Sequence, residues 1–360
     1  MNFNTIFTRS IRFLLLPFAL LYGLAVAIRN WLYDKKISKS VSFNFPLICV
    51  GNLSVGGTGK SPMVEYLIEL LQPHVKVATL SRGYKRKTKG YGLANETTTA
   101  LEIGDEPMQF HLKFPQIAVA VGEERLVAIP QLLHDRPETG VIILDDAFQH
   151  RAINAGLNIL LTDYSNLFYN DWFLPTGDLR DERRSYKRAH IIVVTKCPAA
   201  LSIDEKTKIA KQIKLQKGQH LFFTTIQYGQ PYHIITKQPF VLTPQQEILL
   251  VCGIANPQPL KAYLTAQAAS FTELAYSDHH IFTIDDLKEI RNKYEQLQSK
   301  NKFILTTEKD AVRLLKFSDE LRDLPLYVLP VKHQFLFDEG AQFDELVKDF
   351  VSHFPKAEIE

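Results

Sequence analysis

Gly51-Asn52-Leu53-Ser54-Val55-Gly56-Gly57-Thr58-Gly59-Lys60-Ser61-Pro62 is the stretch on which the fold turns. An apolar run, PLICV, leads into it, and MVEYLIELL, with apolar residues at helical spacing, leads away. A strand, a glycine-rich turn ending Gly59-Lys60-Ser61 and a helix over about 61–71 together read as a phosphate-binding loop. Backbone N–H groups and the helix N-terminus would cradle phosphates, Lys60 would reach the β and γ groups, and the Ser61 hydroxyl would meet Mg2+. Ser54 stands where the consensus has its first glycine. The nucleotide-binding candidates are therefore Ser54, Val55, Gly56, Gly57, Thr58, Gly59, Lys60 and Ser61, with ATP and Mg2+ as the expected cofactors.

Further strands follow as VKVATLS, IAVAVG, VIILDD, GLNILLTD and HIIVVTK, mostly separated by helical or polar segments. Continuous apolar strands alternating with helices indicate a parallel sheet covered on both faces. The fold class is α/β, a doubly wound P-loop domain over 40–225. Two alternating runs around Gly229-Gln230-Pro231 read as a hairpin or two-stranded connector over 226–242. A second series, EILLVCG, FTELAYS, NKFILTT and PLYVLPV, makes a smaller α/β domain over 243–360.

Residues 1–39 form an apolar helix with a basic flank. The sixteen residues between Arg12 and Arg29 are uncharged, a helical length of roughly 24 Å against a hydrocarbon core of about 30 Å. A secretory signal, with Arg9 and Arg12 as its charged start and Ala25-Val26-Ala27 as a cleavage site, a short anchor and a core helix all suit that pattern. A nucleotide-using enzyme belongs with its cofactor in the cytoplasm, which favours an uncleaved anchor. Lys35, Lys36 and Lys39 suit an anionic membrane surface.

The 360 residues carry 42 Lys and Arg against 39 Asp and Glu, a net charge of +3 that gives no case for nucleic-acid binding. Cys49, Cys197 and Cys252 are far apart and odd in number, which excludes a disulfide framework or a CxxC metal site. No repeat, low-complexity tract or sign of an obligate protein partner is present.

A nucleotide enzyme needs an acid at the end of a neighbouring strand, and Val141-Ile142-Ile143-Leu144-Asp145-Asp146 supplies two, as candidates for the Mg2+ shell with Ser61. Val55 occupies the signature-lysine position of the partitioning ATPases, which argues against that class. Thr195-Lys196-Cys197-Pro198 lacks the aspartate of a guanine reader, so ATP is favoured over GTP. In Gly104-Asp105-Glu106-Pro107 a carboxylate either caps a helix or accepts the proton of an acceptor hydroxyl. Ser81-Arg82-Gly83-Tyr84-Lys85-Arg86-Lys87 is a basic loop that either binds an anion or is solvated. Asp278-His279-His280 lacks the spacing of helical zinc ligands; it either precedes a helix capped near Thr283 or supplies a histidine that assists an acid or base.

Taken in order, GNLSVGGTGKSP, LSRGYKRK, GDEP, LDDAFQHR, LPTGDLRD, VVTKCP, CGIANP, SDHH and TTEKDAVRL resemble the tetraacyldisaccharide 4'-kinases of lipid A biosynthesis. In that family Ser or Thr takes the place of the missing glycine. The resemblance implies transfer of the γ-phosphoryl group of ATP to the 4'-hydroxyl of a lipid-linked glucosamine disaccharide 1-phosphate, giving lipid IVA at the cytoplasmic face of the bacterial inner membrane. It implies Lys60 and Ser61 at the phosphates and Mg2+, Asp145 and Asp146 at the metal, Asp105 as base, and His279 as its helper. Arg82, Gln149, His150 and Arg180, inside the matching segments, are candidates for holding the acceptor. Ala147 and Ala255 replace glycines usual in the family, small changes that restrict the local backbone. The alternatives are a membrane-associated ATPase or GTPase switch and a nucleotide-binding scaffold without transfer chemistry.

Overall fold

The structure, a computed structural model, describes residues 12–267 and 270–354, so Arg9 and residues 355–360 lie outside the described residues. Its strands are β1 (Leu47–Asn52), β2 (Val77–Ser81), β3 (Gly92–Leu93), β4 (Ala118–Val121), β5 (Val141–Asp145), β6 (Leu157–Asp163) and β7 (Ile191–Thr195). They continue as β8 (His220–Tyr228), β9 (Tyr232–His233), β10 (Glu247–Cys252), β11 (Ser270–Ala275), β12 (Lys302–Thr307), β13 (Leu326–Leu329) and β14 (Val331–Phe335). Nine of them form one sheet in the order β14-β8-β7-β6-β1-β5-β2-β4-β3, and the other five form β11-β10-β12-β13-β9. Pairing from β8 through β4 is parallel, and only the edge strands β14 and β3 run antiparallel.

Alternation along β1 explains why the central strands are apolar throughout. Leu47 and Cys49 pack into the core layer on one face with Leu144, Leu160 and Ile192. Ile48 and Val50 enter the layer on the other face with Ile143, Ile159, Met63 and Leu67. The strands that follow β1 lie on one side of it and β6 and β7 on the other, the arrangement that opens a crevice at the carboxyl ends of the strands. The smaller sheet is likewise covered on both faces.

Between the sheets the chain runs twice. Tyr228 pairs with Val331, the Gly229 N–H donates to the Pro330 carbonyl at 2.9 Å, and Tyr232 pairs with Val328, so outgoing and returning segments form one antiparallel ribbon. The two runs around Gly229-Gln230-Pro231 thus find different partners instead of closing a hairpin on each other. β14 and the helix Gly340–Ser352 pack with the large sheet, where Phe343 and Val347 join Phe222 in its core. This revises the 243–360 boundary: VKHQF carries strand periodicity but nothing local that selects its sheet.

The N-terminal helix Leu16–Asp34 turns Ala19, Gly23, Val26 and Asn30 inward. Gly23 permits the close approach, since a Cβ there would lie 2.7 Å from the Phe173 ring. Phe18, Leu20, Leu21, Leu24, Ile28 and Trp31 remain exposed on the other side. Asp181, fully buried, secures the docking: it accepts from Asn30 Nδ2 and the Glu182 N–H at 2.8 Å, and from Ser185 Oγ and Arg188 Nη2 at 3.0 Å. Removing one partner of such a buried set strands the others, so Asp181→Ala is expected to cost about 3 kcal/mol in urea denaturation. A loss below about 0.5 kcal/mol would show that these bonds do not hold the helix.

Candidate active site

The loop after β1 reaches the helix Lys60–Leu71 through Gly59, which is left-handed at φ 85° and supplies no side-chain cap. The first helical N–H groups are thereby left for a ligand. The loop is braced from behind. Asn52 Nδ2 donates to Thr58 Oγ1 at 2.8 Å, and Thr195 Oγ1 donates to the Thr58 carbonyl at 2.9 Å. Ser54 is buried with its hydroxyl 3.4 Å from Asp171 Oδ2, and the Val55 N–H donates to the Asp178 carbonyl at 2.7 Å. The residue replacing the consensus glycine therefore stitches the loop to the segment over 171–180.

β5 lies beside β1, which brings Asp145 and Asp146 next to the loop. Asp146 has a left-handed φ of 49°, a conformation costing about 1 kcal/mol or more away from glycine. Arg180 grips it with both Nη atoms, Nη1 at 3.1 Å from Oδ2, and Lys60 Nζ lies 3.7 Å from Oδ1. Burial alone would raise the Asp146 carboxyl, but Lys60 and Arg180 hold it below the usual range. Burial likewise holds the Lys60 ammonium below its ordinary value against the pull of Asp146. Asp145 is less compensated, although Lys60 pulls it down as well. Ser81 Oγ donates to Oδ2 at 3.3 Å, Oδ1 is buried without a partner, and burial, aided by the Asp146 charge, pushes the carboxyl up to about 7.

A partnerless carboxylate oxygen next to a second carboxylate, on the strand beside the one that leads into the phosphate loop, suits a hard divalent cation that shares its shell with phosphate oxygens and water. Among the described residues no three His, Cys, Asp or Glu side chains cluster as an independent metal site.

Asp105 begins the helix Asp105–Lys113. Its Oδ2 lies 3.1 Å from His279 Nδ1, although the two residues are 174 positions apart. Arg313, on the helix Glu308–Leu314, donates from Nε to the same oxygen at 2.8 Å and places Nη2 3.1 Å from His279 Nδ1. Asp310 holds the arginine in turn, 3.2 Å from its Nη1, while accepting from Thr307 Oγ1 at 2.7 Å and the Gly253 N–H at 3.0 Å. Glu106 adds to the negative potential at Lys60 and Asp145, so the start of this helix lies within electrostatic reach of the phosphate loop. Farther along it, Lys113 Nζ bridges Glu65 at 2.6 Å and Glu308 at 2.7 Å, joining the large unit to the small one. His280 instead lies 2.9 Å from Asp286, the carboxylate that completes the capping box begun by Thr283.

The four acceptor candidates divide. Arg180 is committed to Asp146 and Asn52. Gln149 donates to the Asn52 carbonyl at 2.6 Å and leaves Oε1 unpartnered. Arg82 is exposed. His150, partly buried with Nε2 unpartnered, is held below the ordinary imidazole range by burial and by the charges of Arg125, Arg29 and Arg82. Arg125 joins this group although sequence reading missed it; it is buried, and its Nε has no partner. The summed positive potential of these three arginines at His150 favours an anion there. Arg313 and Asp310 sit inside a helix and had no local signal beyond the TTEKDAVRL match; Arg125, at the first position of the helix Arg125–Asp135, had none. Neither Ala147 nor Ala255 adopts a left-handed backbone, so neither methyl is strained. Lys196, in the expected guanine-reader position, pairs with Asp163 at 2.8 Å.

The chain matches the family model described as tetraacyldisaccharide-1-P 4'-kinase over residues 11–352. It is 46% identical to the tetraacyldisaccharide 4'-kinase of Flavobacterium johnsoniae, covering 95% of this chain and 97% of that one. It is 44% identical to the enzyme of that name from Phocaeicola vulgatus, covering 94% of each. Among solved structures it resembles LpxK from Aquifex aeolicus in complex with ATP, with a TM-score of 0.74 and 28% identity over 95% of this chain and 99% of that one.

The raised Asp145 carboxyl has a stability consequence. Its folded value of about 7 lies above the unfolded value of 3.8, so the folded state binds the extra proton and stability falls as pH rises between those values. Without divalent cation, Asp145→Asn is expected to be more stable than the parent by about 2 to 4 kcal/mol at pH 8 and nearly equal to it at about pH 4. Urea denaturation in EDTA at both pH values checks this; an equal difference at both would contradict it.

Proposed function

Since the chain belongs to the tetraacyldisaccharide-1-P 4'-kinase family, we propose that it transfers the γ-phosphoryl group of ATP to the 4'-hydroxyl of a tetraacyldisaccharide 1-phosphate, the lipid IVA-forming step of lipid A biosynthesis. The observation that carries this reading is the Asp105 carboxylate, held by His279 and Arg313 from the smaller unit, at the start of a helix whose next residue, Glu106, is felt electrostatically at Lys60. A switch or scaffold needs no carboxylate there; transfer to an alcohol does.

The loop N–H groups and Lys60 bind and align the triphosphate. Lys60 and Arg180 offset negative charge on the transferring group, which supplies most of the acceleration in a largely dissociative transfer. Ser61, Asp145 and Asp146 would hold Mg2+, which would supply neutralisation of phosphate charge. Asp105 Oδ1 is free to accept the 4'-hydroxyl proton while Oδ2 is fixed by Arg313 and His279. Arg82, Arg125, His150 and Gln149 form the polar pocket for the phosphorylated sugar. The exposed apolar face of the helix Leu16–Asp34 lies in the cytoplasmic leaflet of the inner membrane, where protein and acylated substrate meet in one plane.

Incubation with γ-labelled ATP and tetraacyldisaccharide 1-phosphate, followed by thin-layer chromatography, is expected to move label into lipid. Release of label only as free phosphate would overturn the reading in favour of an ATPase switch. Asp105→Asn is expected to lower kcat at least about 100-fold while ATP binding stays within about threefold, whereas Lys60→Ala loses both. Near-normal turnover by Asp105→Asn would remove it as the base.

A further inference from the structure

His333 is a buried imidazole that none of the chemistry above uses. It lies on β14, just beyond Pro330, where the chain has left the smaller sheet. Each ring nitrogen has one partner: Nδ1 is 3.0 Å from Thr224 Oγ1, and Nε2 is 2.9 Å from the Gly59 carbonyl oxygen. A carbonyl can only accept, so Nε2 carries the proton and Nδ1 accepts from the Thr224 hydroxyl. Burial pushes the ring down to about 4, so this neutral form persists at neutral pH.

The carbonyl it holds belongs to the peptide that enters the helix behind the phosphate loop. The C=O and the following N–H of a trans peptide point in opposite directions. Pinning the Gly59 oxygen, which also accepts from the Met63 N–H at 3.2 Å, therefore turns the Lys60 N–H toward the phosphate side. Thr195 acts in the same way on the preceding peptide through the Thr58 carbonyl, which aims the Gly59 N–H. The imidazole also fills the space beside Gly59, where a Cβ would lie 2.9 Å from its Cε1.

We propose that His333 is a positioning residue for the terminal phosphates of ATP. Acting through the Gly59 carbonyl, it aims the Lys60 N–H at bound phosphate and ties the loop to the strand that arrives from the smaller unit. The inference concerns the nucleotide half of the site and does not depend on the identity of the acceptor.

The test compares His333→Gln, which keeps an N–H donor, with His333→Phe, which keeps a ring but no donor, and with His333→Ala. Calorimetric ADP affinity is read without acceptor, alongside KM for ATP, KM for the lipid acceptor and thermal unfolding. His333→Phe and His333→Ala are expected to weaken ADP binding and raise KM for ATP about tenfold, with acceptor KM within about twofold of the parent and most of the loss recovered by His333→Gln. Unchanged ADP affinity in His333→Phe would overturn the proposal. Equal losses in His333→Gln and His333→Phe, with acceptor KM and unfolding temperature shifting in parallel, would also overturn it by reducing His333 to packing. If His333→Ala does not fold, the contrast between His333→Gln and His333→Phe decides alone.

Discussion

Two adjacent carboxylates at the end of one strand, Asp145 buried and Asp146 half-buried, are the constraint around which this molecule is built. Asp146 is balanced by Arg180 and Lys60; Asp145 has only the Ser81 hydroxyl and the more distant pull of Lys60, and retains a partnerless oxygen. An uncompensated buried charge is expensive in a folded protein, and such an expense persists where a ligand relieves it. The remainder of the large unit delivers the relief. Strand order sets the phosphate loop beside the carboxylates. The segment over 171–180 both braces the loop at Ser54 and Val55 and brings Arg180 to Asp146. The next residue, Asp181, anchors the N-terminal helix, so the apolar surface is tied to the charge centre through consecutive residues.

The smaller unit contributes through three contacts of different kinds. Arg313 and His279 meet Asp105, Lys113 bridges Glu65 to Glu308, and the antiparallel ribbon carries the chain out and back. Because the chain returns through β14, the strand that bears His333 joins the smaller unit to the phosphate loop. A kinase with a lipid acceptor gains from such a link, since alignment of donor and acceptor supplies much of the rate.

Local patterns in the sequence carried much of the fold and the nucleotide site. The phosphate loop, the apolar strands and Asp145-Asp146 are each contiguous, and their periodicity or spacing reports directly on backbone form. The meeting of Asp105 with His279 was legible only through family resemblance, because neither segment alone excludes a helix cap. Arg125, Arg313 and Asp310 were not legible, since a charged residue in a helix reads as solvated until its burial is known. The partners of β9 and β14 were hidden for a related reason: two short alternating runs specify strands and leave the choice of neighbour to tertiary packing. Ser54 departs from the classical consensus and matches the family pattern, and its structural role as a brace for the loop shows only in the fold.

The most direct measurement of the central constraint is the proton released when Mg2+ and ATP bind. With burial pushing the Asp145 carboxyl up to about 7, cation binding at pH 7 is expected to displace a fraction of a proton from it. Titration calorimetry of Mg-ATP in buffers of differing ionisation enthalpy reads this as a slope. The parent protein is predicted to release measurably more proton than Asp145→Asn, whose amide has none to give. Equal slopes for the two proteins would contradict the account, because Asp145 would then be charged and compensated before the ligand arrives.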